Sequence, residues 1–142
     1  MDVNTEAVLY SKNADTQLYP ASITKILTTL LACENLNTKT NITVSENAST
    51  SVTAGDSSIY AAPGEEFTRD QALMAVMLQS ANEMSVAVAE EVSGSVKKFA
   101  ELMNWRAKLF GCKNTHFNNP NGLPDENHYT TCLLYTSDAA DE

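Results

Sequence analysis

A polar break inside an apolar helical run constrains this chain more than any other feature. Leu73, Met74, Met77 and Leu78 recur at helical spacing and are predicted to form one buried face. Ser80-Ala-Asn82 then interrupts the run, and Met84 to Val92 resumes helical character. Burying a hydroxyl and a carboxamide costs free energy unless both find partners. The break therefore points to a site more strongly than any short motif does.

The neighbouring segments fill in the fold class. Thr68-Arg-Asp-Gln71 has the form of a capping box and predicts the start of the interrupted helix. Ser22 to Glu34 carries Ile26, Leu27, Leu30 and Leu31 at helical spacing, with Cys33 read as core. Ser95 begins another helix, with Phe99, Leu102, Leu109 and Phe110 expected inward, Trp105 partly so, and Gly111 as its stop. Glu6-Ala-Val-Leu-Tyr10 reads as a short strand leading into a polar turn, and Asn41 to Thr53 as strand-like or irregular. Strand material followed by four helical segments predicts a mixed α/β fold with the helical subregion dominant.

Composition narrows the function. The 142 residues suffice for one ordinary domain. Nine basic against eighteen acidic residues give a net charge of −9, the wrong sign for nucleic acid or an anionic membrane. No apolar run is long enough to span a bilayer, and Met1-Asp2-Val3-Asn4 carries no basic-then-apolar leader. Cys33, Cys112 and Cys132 have no Cys-x-x-Cys spacing, and His116 and His128 lack a third ligand nearby. Neither a metal site nor a cofactor is expected. Glu90-Glu91 reads as a solvated face.

Two short motifs carry possible chemistry. In Ser22-Ile-Thr-Lys25 the side chains of Ser22 and Lys25 share one helical face, about a turn apart. A serine needs a base to become a nucleophile, and a lysine can serve if burial or a nearby cation lowers its pKa. The plainer reading makes Ser22 a helix cap and Lys25 a solvated lysine. With 12 Ser and 7 Lys in the chain, chance supplies roughly half a match, so spacing alone does not choose. Ser95-Val-Lys-Lys98 is a second match that capping explains. Ser80-Ala-Asn82 could relay a proton through its hydroxyl and hold an amide with its carboxamide. Ser11-Lys-Asn13 and Ser45-Glu-Asn47 share that pattern, but lie in polar stretches.

A longer resemblance decides between the readings. Tyr19-Pro-Ala-Ser-Ile-Thr-Lys-Ile-Leu-Thr28 resembles the active-serine segment of the serine-type D-alanyl-D-alanine carboxypeptidases, the low-molecular-weight penicillin-binding proteins. Tyr60-Ala-Ala-Pro-Gly-Glu-Glu-Phe67 resembles the family's connector, and Met77 to Glu83 its Ser-x-Asn junction. Asn114-Thr-His-Phe-Asn-Asn-Pro-Asn-Gly-Leu-Pro124 and His128-Tyr-Thr-Thr131 resemble the downstream loop. The similarity runs in one order over residues 1–131.

The resemblance implies a serine beta-lactamase/DD-peptidase-like fold, incomplete here, and a role for each motif residue. Ser22 would be the nucleophile and Lys25 its general base. Ser80 would relay the proton, and Asn82 would hold Lys25 and the substrate amide. The implied partners are a peptidoglycan stem peptide ending in D-Ala-D-Ala and beta-lactams that acylate Ser22. The implied location is outside the cytoplasmic membrane, with any membrane anchor beyond this chain.

The family's third motif, Lys-Thr-Gly, is absent; Lys39-Thr40 is followed by Asn41 and reads as a surface turn. The chain is therefore expected to be an N-terminal portion of the catalytic domain, with little activity of its own. Residues 132–142 fit nothing in the family and are expected to be a non-native tail. A serine beta-lactamase would need a deacylating group such as Glu-x-x-Leu-Asn, which does not follow Asn82. A non-catalytic wall-recognition module is the other alternative.

Overall fold

A computed structural model describes residues 2, 5 and 7–131. A single turn of 3-10 helix, Ala21–Ile23, leads directly into α1 (Thr24–Asn35). Then follow β1 (Asn41–Thr43), α2 (Glu46–Thr50), β2 (Glu66–Thr68), α3 (Arg69–Leu78), α4 (Asn82–Ser93) and α5 (Val96–Leu109). The strands pair antiparallel with Ile42 opposite Phe67, and Ile42 is fully buried. The fold is mixed α/β with helix dominant, as expected.

Helix α4 is the centre of the molecule. Every residue from Asn82 to Ala89 is buried, and α1, α2, α3 and α5 all pack against it. A helix enclosed on all sides must present small or apolar groups all round. Ala87, Val88 and Ala89 do so, and Ser85 satisfies its hydroxyl on the Ala81 carbonyl. Two apolar clusters flank α4. One joins Ile42, Val44, Ala72, Val76, Met84 and Val88. The other joins Leu27, Leu31, Ala89, Phe99, Met103 and Phe117.

Local chemistry sets the ends of the elements. The capping box forms: the Thr68 hydroxyl accepts from the Gln71 amide, and the Gln71 side chain accepts from the Thr68 amide. Ser95 caps α5, and Gly94 ends α4 at φ 76°, a left-handed value that suits glycine. Lys39 lies exposed in a turn, as read from the sequence.

Several expectations are corrected. Residues 7–10 form no strand, because nothing among the described residues pairs with Val8–Tyr10, and these side chains are exposed. The strand-like stretch is broken by α2, whose start is capped by Ser45. Glu90 is not simply solvated: it accepts from Ser45 Oγ and Asn47 Nδ2, both at 2.6 Å, and ties α2 to α4. On α3 the buried face is Ala72, Leu73 and Val76, while Met74, Met77 and Leu78 are exposed. Ala72, Leu73 and Val76 pack into the apolar cluster around α4, which turns Met74, Met77 and Leu78 outward. On α5 the inward residues are Phe99, Ala100, Met103 and Ala107, with Leu109, Phe110 and Trp105 exposed. Cys33 lies seven residues after the exposed Ile26, hence on the same outer side of α1, and is exposed too.

Candidate active site

The two motifs meet at the start of the two most buried helices. Ser22 sits in the 3-10 turn at the head of α1, and Lys25 lies one turn further, 2% exposed. Ser80 and Asn82 occupy the corner between α3 and α4. The polar break is thus a real break, and its groups are paired.

Lys25 is the hub. Its Nζ donates to Asn82 Oδ1 at 2.7 Å, to the Asn121 carbonyl at 2.7 Å and to Ser22 Oγ at 3.2 Å. An ammonium has three donors, and here each has an acceptor. Burial pulls the Lys25 pKa from 10.5 down to about 8, against an opposing pull from the Glu83 carboxylate. The Ser80 hydroxyl donates to Ser22 Oγ at 2.9 Å. Ser22 Oγ therefore lies between a lysine that can take its proton and a second hydroxyl that can pass one on.

The backbone is strained beside both serines. Ala21 has φ 49° and Ser80 φ 54°, the left-handed region that side-chain-bearing residues avoid. Each costs on the order of 1 kcal/mol or more, and strain of this kind collects where geometry is held for function. The 3-10 turn also leaves backbone amides at its open end, suited to negative charge.

A third element completes the arrangement. The segment from Asn118 to His128 folds over the first two turns of α1. Thr28 Oγ1 donates to the Pro120 carbonyl at 2.7 Å, next to the Asn121 carbonyl that holds Lys25. His128 is 1% exposed; its Nδ1 accepts from the Asn118 amide at 3.0 Å. The proton therefore resides on Nε2, which donates to Thr24 Oγ1 at 2.8 Å. Burial lowers the His128 pKa from 6.5 to about 4, with Asp125 opposing and His116 assisting. This histidine is a neutral structural pin.

A cleft of about 290 Å³ opens over these groups, lined among others by Tyr19, Ser22, Asp56, Asn82, Leu123 and His128. Ser22 lies on its wall, so a ligand in the cleft can reach the hydroxyl. All four residues singled out in the sequence come together here. Asn121, Gly122 and His128 were not singled out as site residues; their signal was the resemblance of residues 114–124 and 128–131 to the family's downstream loop. Among the described residues no cluster of metal-ligating side chains occurs.

The sequence and the fold have counterparts. Residues 1–137 match the profile of the D-alanyl-D-alanine carboxypeptidases. The chain belongs to that family. It is 46% identical over 131 residues to the D-alanyl-D-alanine carboxypeptidase DacF of Bacillus subtilis, covering 90% of this chain and 33% of DacF. Penicillin binding protein 5 of Haemophilus influenzae superposes with a TM-score of 0.89 at 32% identity, over 99% of this chain and 42% of that one. The Streptomyces DD-transpeptidase gives 0.86 at 30% identity, over 99% of this chain and 58% of that one. The chain thus spans about a third of DacF.

Proposed function

We propose that the protein of which residues 1–131 form part of the catalytic domain removes the terminal D-alanine from peptidoglycan stem peptides through a serine acyl-enzyme. The observation that carries this reading is the contact set around Ser22 Oγ: Lys25 Nζ at 3.2 Å and Ser80 Oγ at 2.9 Å, beside an open cleft. Ser22 Oγ attacks the carbonyl of the D-Ala-D-Ala bond as neutral Lys25 takes its proton. The tetrahedral oxyanion is met by backbone amides, that of Ser22 among them. The C–N bond then breaks, the proton returns through Ser80 to the departing amine, and D-alanine leaves. Water attacks the ester and regenerates Ser22. Asn82 holds Lys25 and the substrate amide throughout.

Beta-lactams would open on the same hydroxyl and remain as an ester. The substrate places the whole protein outside the cytoplasmic membrane. The chain of 142 residues contains no Lys-Thr-Gly motif, so this portion alone is inefficient. The residues expected to be a non-native tail, 132–142, lie outside the described residues. The test uses the longer protein, a fluorescent penicillin and a pentapeptide ending in D-Ala-D-Ala. Labelling lost in Ser22→Ala and D-alanine released by the wild type are expected. Labelling that survives Ser22→Ala, or no D-alanine release, overturns the reading.

A further inference from the structure

The basic charge of this acidic chain is gathered on one helix. Residues 96–113, which comprise α5 and its exit, carry five of the nine basic residues: Lys97, Lys98, Arg106, Lys108 and Lys113. Of the eighteen acidic residues the same stretch carries Glu101 alone. The net charge of −9 opposes an anionic partner met by the molecule as a whole, but one face can carry the opposite sign.

Helix geometry makes a face of this segment. Phe99, Ala100, Met103 and Ala107 are buried and turn α5 towards α4 and α1. At about 3.6 residues per turn, Lys98, Glu101, Trp105, Lys108 and Leu109 fall within about 100° on the opposite side, with Lys97 beside them. All six are exposed, Trp105 by 55% and Leu109 by 59%. Arg106 is engaged elsewhere: its guanidinium pairs with Glu34 and lies 5.0 Å from the centre of the Phe110 ring. Lys97, Lys98 and Lys108 enter no ion pair among the described residues.

The mixture of side chains selects the partner. The core of a protein–protein interface is depleted of lysine, so unpaired lysines beside Trp105 and Leu109 do not suit a layer of chain packed over α5. A soluble polyanion would use the lysines and leave the two apolar side chains in water. An anionic bilayer uses both, with phosphates against the ammonium groups and the indole at headgroup level. No residue of α5 lines the cleft, so this face is separate from the site around Ser22.

We propose that the outer face of α5 is a docking surface for a bilayer rich in anionic phospholipid. Lys97, Lys98 and Lys108 meet the lipid phosphates, and Trp105 and Leu109 enter the headgroup layer. That the protein meets such a bilayer rests on its proposed location; the chemistry of the face does not.

Trp105 is the one tryptophan of the chain, so its fluorescence reads this face directly in the 142-residue protein. The probes are vesicles of phosphatidylcholine alone and of phosphatidylcholine mixed with phosphatidylglycerol. With the anionic vesicles the Trp105 emission is expected to shift to the blue and the protein to sediment with them. Neutral vesicles should do neither, and added salt should reverse both effects. Each lysine near an anionic surface strengthens binding about fivefold, so Lys98→Gln combined with Lys108→Gln should bind about 25-fold more weakly. Both side chains are exposed, and an unchanged urea midpoint checks that the fold is kept. Trp105→Ala should also sediment less, although it removes no charge. Equal binding to both kinds of vesicle, sedimentation without a Trp105 shift, or full affinity in the double variant overturns the proposal. A shift with dextran sulfate that anionic vesicles do not produce assigns a soluble polyanion and overturns it too. A shift on concentrating the protein alone assigns the face to a second copy. Protection of Lys98 and Lys108 from acetylation in the longer protein, without lipid, shows further chain over α5. Either result likewise refutes the lipid assignment. None of these readouts depends on peptidase turnover, so failure of the proposed function is seen separately.

Discussion

At the scale of single residues the decisive quantity is the protonation of Lys25. A lysine that must accept the Ser22 proton works only in its neutral form, and burial brings its pKa down to about 8. Acylation of the longer protein by a fluorescent penicillin should therefore rise through about pH 8 and level off above it. A flat profile from pH 6 to pH 10 would remove Lys25 from the role. Replacing Lys25 by Ala should slow acylation by about 10²–10⁴-fold, the usual contribution of a general base. The same shift has a sign in stability. Between about 8 and 10.5 the unfolded chain binds the Lys25 proton and the folded chain does not, so this group's cost to the fold is relieved as pH rises. His128 acts lower down. With its pKa lowered from 6.5 to about 4, its contribution is present above 6.5 and is lost as pH falls toward 4. Urea midpoints should fall across that window in the wild type and fall less in His128→Gln. Equal slopes would show that protonation of His128 is not coupled to folding.

At the scale of elements, the site depends on three backbone pieces held at close quarters, and Gly122 marks the closest approach. It has φ 84°, and a Cβ there would lie 1.8 Å from the Ala21 carbonyl oxygen. That atom belongs to the strained residue just before Ser22, so neither side can yield without moving the nucleophile. Gly122→Ala should destabilise the fold by more than about 1 kcal/mol and should reduce penicillin labelling. Full labelling at wild-type stability would mean that the 121–124 loop does not hold Ser22 in place. Thr68→Ala, by contrast, removes only a cap and should cost about 1 kcal/mol without touching acylation.

The contrast explains what was legible in the sequence. The Thr68–Gln71 box, the Ser95 cap and the break at Ser80 are local, and each stands where the residues predicted it. Helix faces were harder. Met74, Met77 and Leu78 have the right spacing for a core, yet the side of α3 that packs into the cluster around α4 carries Ala72, Leu73 and Val76. The site followed the same rule. Ser22, Lys25, Ser80 and Asn82 were visible as short motifs supported by resemblance. The Asn121 carbonyl is backbone chemistry that no side-chain pattern announces.

At the scale of the whole molecule the cleft is assembled from stretches of chain far apart in sequence. Its floor comes from the head of α1 and the start of α4, and its rims from the 55–57 and 121–124 loops. The family resemblance implies a Lys-Thr-Gly strand that would bind the substrate carboxylate and flank a second oxyanion donor, and this sequence has no such motif. Tyr19 on the cleft wall is 65% exposed, and elsewhere Tyr60 is 84% and Ile23 48% exposed. These are apolar surfaces that a further layer of chain could cover. Losing one oxyanion donor alone costs about 10²–10³-fold, and losing the carboxylate's partner weakens substrate orientation as well. D-alanine release by the 142-residue chain should therefore be at least about 100-fold slower than by a longer protein that contains the motif. The comparison separates chemistry from assembly. The contacts of Ser22, Lys25, Ser80 and Asn82 are complete within this chain. Slow penicillin labelling that still needs Ser22 is therefore expected even where turnover is undetectable. Release at equal rates from the two proteins would mean that these four residues and their two rims suffice for the reaction without the third motif.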